Sequence, residues 1–193
     1  VVAFTVERDY VDPPERYGLP VVPFDEVTRH YPPETHDMFV AVGYARVNKF
    51  REQCYHAAKA LGYTLITYIS SRATVWPDLE IGDNCFIMEH NIIQPFARIG
   101  SNVLMWSGSH VGHESTIGDH CFVASQVVIS GSVVIEPNAF IGVNATIRDK
   151  VRIGREAVIG AGALVMKDVK DRDVLLGTAA KPLGMTSDRL PGL

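Results

Sequence analysis

The chain has 193 residues, of which 47% are hydrophobic and 21% charged, with a formal net charge of −4 at pH 7 and a pI near 6.0. This composition is typical of a globular protein without a basic face, and it argues against nucleic acid or an anionic membrane as a partner. No apolar run approaches the roughly 20 residues of a membrane-spanning helix. Three cysteines are too few for a disulfide framework and fit a reducing compartment, so we expect a cytoplasmic protein.

Residues 1–68 are predicted to form a small N-terminal α/β unit, because short apolar segments alternate with helical patterns. The predicted strands are 1–6, 38–42 and 63–69, the predicted helices are 23–30 and 46–61, and a proline-rich loop is predicted at 11–23. Units of this kind bind nucleotides where strand ends meet loops, which makes Thr5 and Glu7 candidate substrate contacts. A purely structural role of the unit is the alternative, and the absence of a G-x-G-x-x-G motif argues against a dinucleotide site.

From residue 69 onward the sequence repeats every six residues. Seventeen positions spaced by six, from Ile69 to Val165, are all aliphatic or methionine, without an insertion, and seven of them are followed by glycine. A period of six fits neither an α-helix nor a single strand, whereas it fits a coil of short strands joined by tight corners. Each aliphatic side chain then points inward, and the glycines are expected to adopt positive φ at the corners.

Three six-residue sides make an 18-residue coil, so this region is predicted to form about five coils. Each buried aliphatic side chain contributes about 1.5–3 kcal/mol, so the inward stack is sufficient to hold the coils together. The predicted fold class is therefore mainly β, with a parallel β-helix domain at 69–168. It follows the N-terminal unit at 1–68 and precedes a C-terminal cap or tail at 169–193.

One corner of the predicted β-helix carries a pair of residues suited to proton transfer. His113 lies two residues after the inward Val111, where a corner projects side chains away from the stack, and Glu114 follows it. A histidine side chain titrates near neutral pH, and an adjacent carboxylate orients the ring and stabilises the imidazolium. The pair therefore fits a general base, although a histidine at such a corner is also compatible with a surface residue without chemistry.

The segment from Ser109 to Lys167, which contains His113-Glu114-Ser115-Thr116-Ile117-Gly118-Asp119, resembles the hexapeptide-repeat sugar acetyltransferases. The most similar group comprises the PglD-like bacillosamine N-acetyltransferases and the NeuD-like sialic-acid O-acetyltransferases. The resemblance implies that the β-helix is left-handed, that acetyl-CoA is the co-substrate and that no metal takes part. It also implies that His113 is the catalytic base and Glu114 its acidic partner.

The resemblance further implies a homotrimer with active sites between subunits and with acetyl-CoA bound along the outside of the β-helix. Main-chain groups receive the pantetheine in that family, and the matching positions here are Val143 beside Gly142 and Ala161 beside Gly160. Glycine lets a ligand approach the backbone closely. A role of these glycines in folding alone is the alternative.

The chain departs from the family pattern at three places. Phe122 stands where some relatives have a histidine beside the acetyl group, and the late G-x-P-A-K segment reads Gly177-Thr178-Ala179-Ala180-Lys181, without its proline. The N-terminal unit lacks the first strand and the glycine-rich turn of the relatives. Two explanations stay open: the unit is truncated here, or this protein functions without them.

The resemblance implies an acetyl-CoA-dependent acetyltransferase that modifies an amino group of a nucleotide-linked sugar in bacterial surface-glycan synthesis. An O-acetyltransferase acting on a free sugar such as sialic acid is the first alternative, and a non-catalytic binding solenoid is another. A zinc lyase like the γ-class carbonic anhydrases is disfavoured, because His113 and His120 are seven residues apart and the H-x-x-x-x-H spacing is absent from the repeat region. The sequence does not identify the sugar or the acetylated position.

Overall fold

A parallel β-helix of two-residue strands extends from Tyr68 to Leu175. The structure is a computed structural model that describes residues 1–182, 184 and 186–189. The first side of the β-helix is a seven-stranded sheet of Tyr68–Ile69, Phe86–Ile87, Leu104–Met105, Phe122–Val123, Phe140–Ile141, Val158–Ile159 and Val174–Leu175. Its second side is a six-stranded sheet of Thr74–Val75, Ile92–Ile93, His110–Val111, Val128–Ile129, Thr146–Ile147 and Leu164–Val165. Its third side is a five-stranded sheet of Glu80–Ile81, Arg98–Ile99, Thr116–Ile117, Val134–Ile135 and Arg152–Ile153. The predicted fold class is confirmed.

The coils up to Val165 contain 18 residues each and pair in constant register, whereas the last coil, in which Val158 pairs with Val174, contains 16. Met105, for example, pairs with Ile87 on one side and with Val123 on the other. The repeating aliphatic residues point inward, and from Ile87 to Val165 every one of them is at most 3% exposed. The core is therefore a column of aliphatic side chains that excludes water along most of the length of the β-helix.

Three corners join the sheets, and each is defined by three residues per coil. Corner A comprises residues 82–84, 100–102, 118–120, 136–138 and 154–156. Corner B comprises residues 70–72, 88–90, 106–108, 124–126, 142–144 and 160–162. Corner C comprises residues 76–78, 94–96, 112–114, 130–132, 148–150 and 166–168. The third corner residue is left-handed at every coil from Asn84 to Gly162, and all but Gly108 and Gly162 have side chains, with φ between 51° and 65°.

The expectation that the repeat glycines supply positive φ was wrong. The glycines that follow the inward aliphatics, such as Gly82, Gly100 and Gly118, are not left-handed. A Cβ atom on any of these three would instead lie closer than 3.0 Å to an atom of the next coil. These glycines are required because the coils stack closely there, whereas residues with side chains adopt the left-handed conformation two positions later.

The N-terminal unit contains a small mixed sheet and two helices. Phe4–Val6 pairs in parallel with Leu19–Pro23, which pairs antiparallel with Glu15–Arg16. The helices are α1, Val27–His30, and α2, Lys49–Ala60, and 3-10 turns occur at Arg8–Tyr10, Phe24–Glu26 and Ser187–Arg189. The loop prediction for 11–23 was wrong, because this segment supplies two strands. The predicted strand at 38–42 is reduced to one parallel bridge between Met38 and Leu65.

Within the described part of the chain, no helix has the length and apolar character to cross a bilayer.

The N-terminal unit packs against corner A and the adjoining seven-stranded sheet. Phe39 and Tyr44 cover the outer aromatic residues of that sheet, with ring centroids 5.5 Å from Phe86 and 4.9 Å from Phe122, respectively. The backbone N–H of Val40 also donates a hydrogen bond to Asn84 Oδ1 at corner A (2.7 Å). Apolar contact and polar pairing thus act together at this interface.

Arg51, on α2, is fully buried at corner A. Its guanidinium donates to the carbonyl oxygens of Asn102 (3.3 Å), His120 (2.7 Å), Cys121 (3.0 Å) and Gly43 (2.9 Å). Burial lowers the pKa of Arg51 to about 10, so the side chain is still protonated at neutral pH. One side chain therefore joins α2 to two successive coils.

We expect Arg51→Met to lower the free energy of unfolding by about 3–5 kcal/mol, because it leaves several buried carbonyl oxygens without a donor. Urea denaturation followed by circular dichroism measures this change. Arg98→Met is the matched control, since Arg98 is 65% exposed on the five-stranded sheet, where a surface ion pair contributes at most about 1 kcal/mol. Equal stability of the two variants would contradict a structural role of Arg51.

Candidate active site

His113 lies at corner C, between strands His110–Val111 and Thr116–Ile117. Its backbone is fixed from both neighbouring coils. The His113 N–H donates to Gln94 Oε1 (3.0 Å) in the preceding coil, and the His113 carbonyl accepts a hydrogen bond from the Ser132 N–H (2.8 Å) in the following coil. The peptide that carries the candidate base is therefore held in place while its side chain points outward.

The imidazole of His113 is open to an incoming substrate and is paired with Glu114. The two side chains are 60% and 62% exposed, and His113 Nδ1 lies 3.4 Å from Glu114 Oε2. Ser132 donates a hydrogen bond to the same carboxylate oxygen (3.2 Å), and the far side of the ring lies over Gly131. The sequence analysis missed Gly131 and Ser132, although alignment of the coils at 18-residue intervals stacks them on His113 and Glu114.

The predicted cofactor-binding residues lie together at corner B. The side chains of Val143 and Ala161 are exposed, and their backbone N–H groups have no acceptor among the residues that the structure describes. A Cβ on Gly142 or Gly160 would lie closer than 3.0 Å to backbone atoms of the following coil, so coil stacking alone already requires both glycines. Gly177, from the late glycine segment, packs against the Ala161 carbonyl.

Corner B and corner C lie at opposite edges of the six-stranded sheet. In the coil of His113, three residues lie between Gly108 at the end of corner B and Gly112 at the start of corner C, so the two glycines are four residue steps or about 13 Å apart along an extended chain. The outer face of this sheet exposes Ile92, Val128 and Leu164 to between 41% and 67%. On this face the three apolar residues alternate with His110 and Thr146. Within one chain, the candidate base and the candidate cofactor corner are therefore apart, on either side of this mixed face.

The candidate substrate residues Thr5 and Glu7 lie at the first strand of the N-terminal sheet. The Thr5 hydroxyl is buried without a hydrogen-bond partner among the described residues, and Glu7 is exposed just beyond the strand. Burial, followed by the charge of Glu7, raises the pKa of the Cys54 thiol, which places Glu7 near α2. Their role in substrate binding stays a prediction.

Phe122 packs in an aromatic stack on the seven-stranded sheet. It is 3% exposed, its ring is nearly parallel to that of Phe140 at a centroid distance of 5.4 Å, and Tyr44 covers both. Phe122 therefore has a structural role here in contact with the N-terminal unit.

A chain of hydrogen bonds along corner A fixes the tautomer of His120. The Val40 N–H fixes the orientation of the Asn84 amide, whose Nδ2 donates to Asn102 Oδ1 (2.8 Å). The Asn102 amide nitrogen is then left to donate to His120 Nδ1 (2.8 Å). The network thus assigns the proton of neutral His120 to Nε2, the nitrogen that faces Glu52 at 3.9 Å.

Glu52, His56 and His120 bring three potential metal-ligating atoms within 4.8 Å of one another. Metal binding requires a lone pair on the ligating nitrogen, and in His120 the nitrogen facing Glu52 carries the proton. Moving that proton to Nδ1 would oppose the Asn102 amide N–H. This hydrogen-bond chain disfavours a metal at the cluster, and the expectation that the protein uses no metal stays a prediction.

Burial lowers the pKa of His120, and the charges of Glu52 and Asp119 oppose this only in part. Unfolded His120 takes up a proton near its ordinary pKa of about 6.5, whereas folded His120 does so only at lower pH, so acid favours unfolding. We expect the free energy of unfolding to fall below about pH 6.5 and to fall less in His120→Asn, because asparagine continues the row of Asn84, Asn102 and Asn138.

Urea titrations between about pH 7.5 and pH 5 measure this difference. His30→Asn, at a side chain that is 47% exposed, controls for the loss of a histidine without a buried partner. The same pH dependence in both variants and in the original protein would contradict the assignment.

The repeat region matches the family profile described as "Bacterial transferase hexapeptide (six repeats)" at residues 78–113, 96–131 and 132–167. Residues 78–167, which include His113 and both candidate cofactor residues, therefore match the bacterial transferase hexapeptide family, and the chain is an acyltransferase. Within the class it resembles the sugar N-acetyltransferases, as the sequence predicted. A comparison with curated protein sequences gave no significant match.

Several solved structures, acetyltransferases among them, superimpose on most of the chain. PerB from Caulobacter crescentus, in complex with CoA and GDP-perosamine, is 28% identical with a TM-score of 0.83, over 94% of this chain and 84% of that one. The acetyltransferase domain of PglB from Neisseria gonorrhoeae, in complex with acetyl coenzyme A, is 29% identical with a TM-score of 0.78, over 88% and 81%. WeeI from Acinetobacter baumannii, at 22% identity and a TM-score of 0.63 over 91% and 82%, shares the fold.

Proposed function

We propose that the protein transfers the acetyl group of acetyl-CoA to an amino group of a nucleotide-linked sugar, with His113 as general base. The observation that carries the proposal is the His113–Glu114 pair, exposed at a corner whose backbone is held by both neighbouring coils. The similarity to an enzyme crystallised with CoA and GDP-perosamine supports the choice of acceptor. The free cysteines Cys54, Cys85 and Cys121 fit a reaction in the reducing cytoplasm.

In the proposed reaction, the amine nitrogen of the sugar attacks the thioester carbonyl while Nε2 of His113 removes a proton from that amine. Nε2 acts as a base only if the ring proton is on Nδ1, and Glu114 Oε2 is the acceptor beside Nδ1. Backbone N–H groups stabilise the oxyanion. The oxyanion exists once the attack has formed the C–N bond. Its collapse breaks the C–S bond, and the imidazolium returns its proton to the departing CoA thiolate.

Corner B is the proposed path of the pantetheine. The N–H groups of Val143 and Ala161, which have no acceptor in the described part of the chain, lie on successive coils of this corner, and small or exposed side chains leave room beside them. Gly142 and Gly160 keep the two coils close. Thr5 and Glu7 are proposed contacts of the acceptor in the N-terminal unit.

The protein is proposed to act as a homotrimer with composite active sites. Corners B and C of one chain are separated by the six-stranded sheet, whose exposed Ile92, Val128 and Leu164 are apolar residues that a second chain would cover. When two chains pack along this face, corner C of one chain approaches corner B of the other. His113 and the pantetheine path then belong to different subunits.

We expect His113→Ala to lower kcat by about 10²–10⁴-fold, because the proton is then transferred without a positioned base. CoA binding, measured by calorimetry, should stay within about twofold, since His113 is not at corner B. Glu114→Ala should lower kcat by less than His113→Ala does, and His30→Ala is the control variant. Release of CoA thiol over a set of nucleotide-linked amino and hydroxy sugars measures activity and identifies the acceptor. Full activity of His113→Ala would refute the assignment of the base.

Composite sites make a second prediction. Ala161→Trp should block corner B by filling the space beside an exposed residue, and it should inactivate the protein as His113→Ala does. Chains carrying one substitution each, when co-expressed and purified as mixed oligomers, should regain part of the activity, because some interfaces pair an intact His113 with an intact corner B. Mixed oligomers that stay inactive would place the whole site within one chain.

A further inference from the structure

Gly131 is not needed for the corner at which it lies. Its φ is not left-handed, and the same position in other coils of corner C is occupied by residues with side chains, namely Pro77, Pro95, His113, Asp149 and Lys167. The turn therefore tolerates a Cβ here. The reason for glycine must lie in what surrounds it.

The space beside Gly131 is filled by the ring of His113. A Cβ at position 131 would lie 2.6 Å from Nε2, 2.7 Å from Cε1 and 3.1 Å from Cδ2 of His113, and these are its nearest atoms. Gly112 differs, because a Cβ there would meet the backbone of the next coil. Gly131 thus provides room for the imidazole, and in particular for Nε2.

Ser132 holds the carboxylate that faces the other ring nitrogen. Its hydroxyl donates to Glu114 Oε2 (3.2 Å), the same oxygen that lies 3.4 Å from His113 Nδ1. Ser132 and Glu114 both have a φ of 57° at equivalent positions of successive coils, so their side chains stack directly. A carboxylate that is 62% exposed would otherwise sample several rotamers.

We propose that Gly131 and Ser132 are positioning residues of the His113 base. Gly131 gives the ring the space in which Nε2 faces the substrate, and Ser132 fixes the Glu114 oxygen that accepts the Nδ1 proton. The proposal rests on the proposed function of His113 and extends it to two residues that act through His113 and Glu114.

A double-mutant cycle tests whether Ser132 acts through Glu114. Ser132→Ala should lower kcat by about three- to tenfold, as expected for the loss of one hydrogen bond, with an unchanged KM for acetyl-CoA. In the Glu114→Ala background the same change should have no further effect. Ser132→Asn should restore activity to within about twofold, because asparagine tolerates the left-handed conformation and its amide donates to the carboxylate. A loss that is equal in both backgrounds would overturn the role of Ser132.

Gly131→Ala tests the space beneath the ring. Its methyl group should displace Nε2 and lower kcat by about 10²-fold, a cost expected for misplacing a catalytic group by about 1 Å. Asp149→Ala, at the equivalent position of the next coil, is the matched control and should leave kcat within about twofold. Equal activity of these two variants would overturn the role of Gly131.

The protonation of the ring gives a readout that does not depend on activity. With selectively ¹⁵N-labelled histidine, the ring nitrogens of His113 should report the Nδ1–H tautomer in the original protein and a mixture with Nε2–H in Ser132→Ala. An unchanged tautomer would overturn the proposal for Ser132. If no acceptor sugar yields CoA thiol, the proposed function fails, while this spectrum still decides whether Ser132 orders the His113–Glu114 pair.

Discussion

The constant 18-residue coil is the constraint on which the rest of the structure depends. Because no residue is inserted between Ile69 and Val165, each inward aliphatic side chain lies directly above another, and each corner lies above the corresponding corner. One inserted residue would move the inward side chains of the following strand to the outer face. The same constancy stacks Gly131 on His113 and Ser132 on Glu114, so the period that builds the core also builds the environment of the candidate base.

The interface at corner A is unusual because a buried charge joins the two parts of the chain. The Arg51 guanidinium pairs with carbonyl oxygens at the corner where two coils turn, and the Asn48 amide donates to the carbonyls of Asn138 and Ala139 in the coil beyond. Backbone carbonyls at a corner cannot all be used by the short strands. Side chains of α2 provide the missing donors, which explains why polar residues are buried at this interface.

The β-helix could be predicted from the sequence because one inward residue per side leaves a direct trace at every sixth position. The corners could not, since left-handed residues such as Phe96, Glu114 and Lys150 have no distinguishing composition. Pro20 and Pro23 suggested a loop, yet Val21 and Val22 between them pair with Phe4 and Thr5 in the N-terminal sheet. His113 and Glu114 were found because they are adjacent and match a family motif. Gly131 and Arg51 were missed because their partners lie 18 to 70 residues away in the sequence.

The contacts of α2 also have a consequence for the order in which the chain folds. Coils form from contacts 18 residues apart and propagate from neighbour to neighbour, as in other solenoids. Arg51 and Asn48, in contrast, bind residues that are 51 to 91 positions further along, in coils that must already be stacked for their carbonyls to lie together. During synthesis, α2 therefore leaves the ribosome well before its binding surface exists. The contacts with Asn84 and Phe86 become available when the first coils have emerged. Docking of α2 is complete only after residue 139 has emerged, when Asn48 reaches its last acceptor.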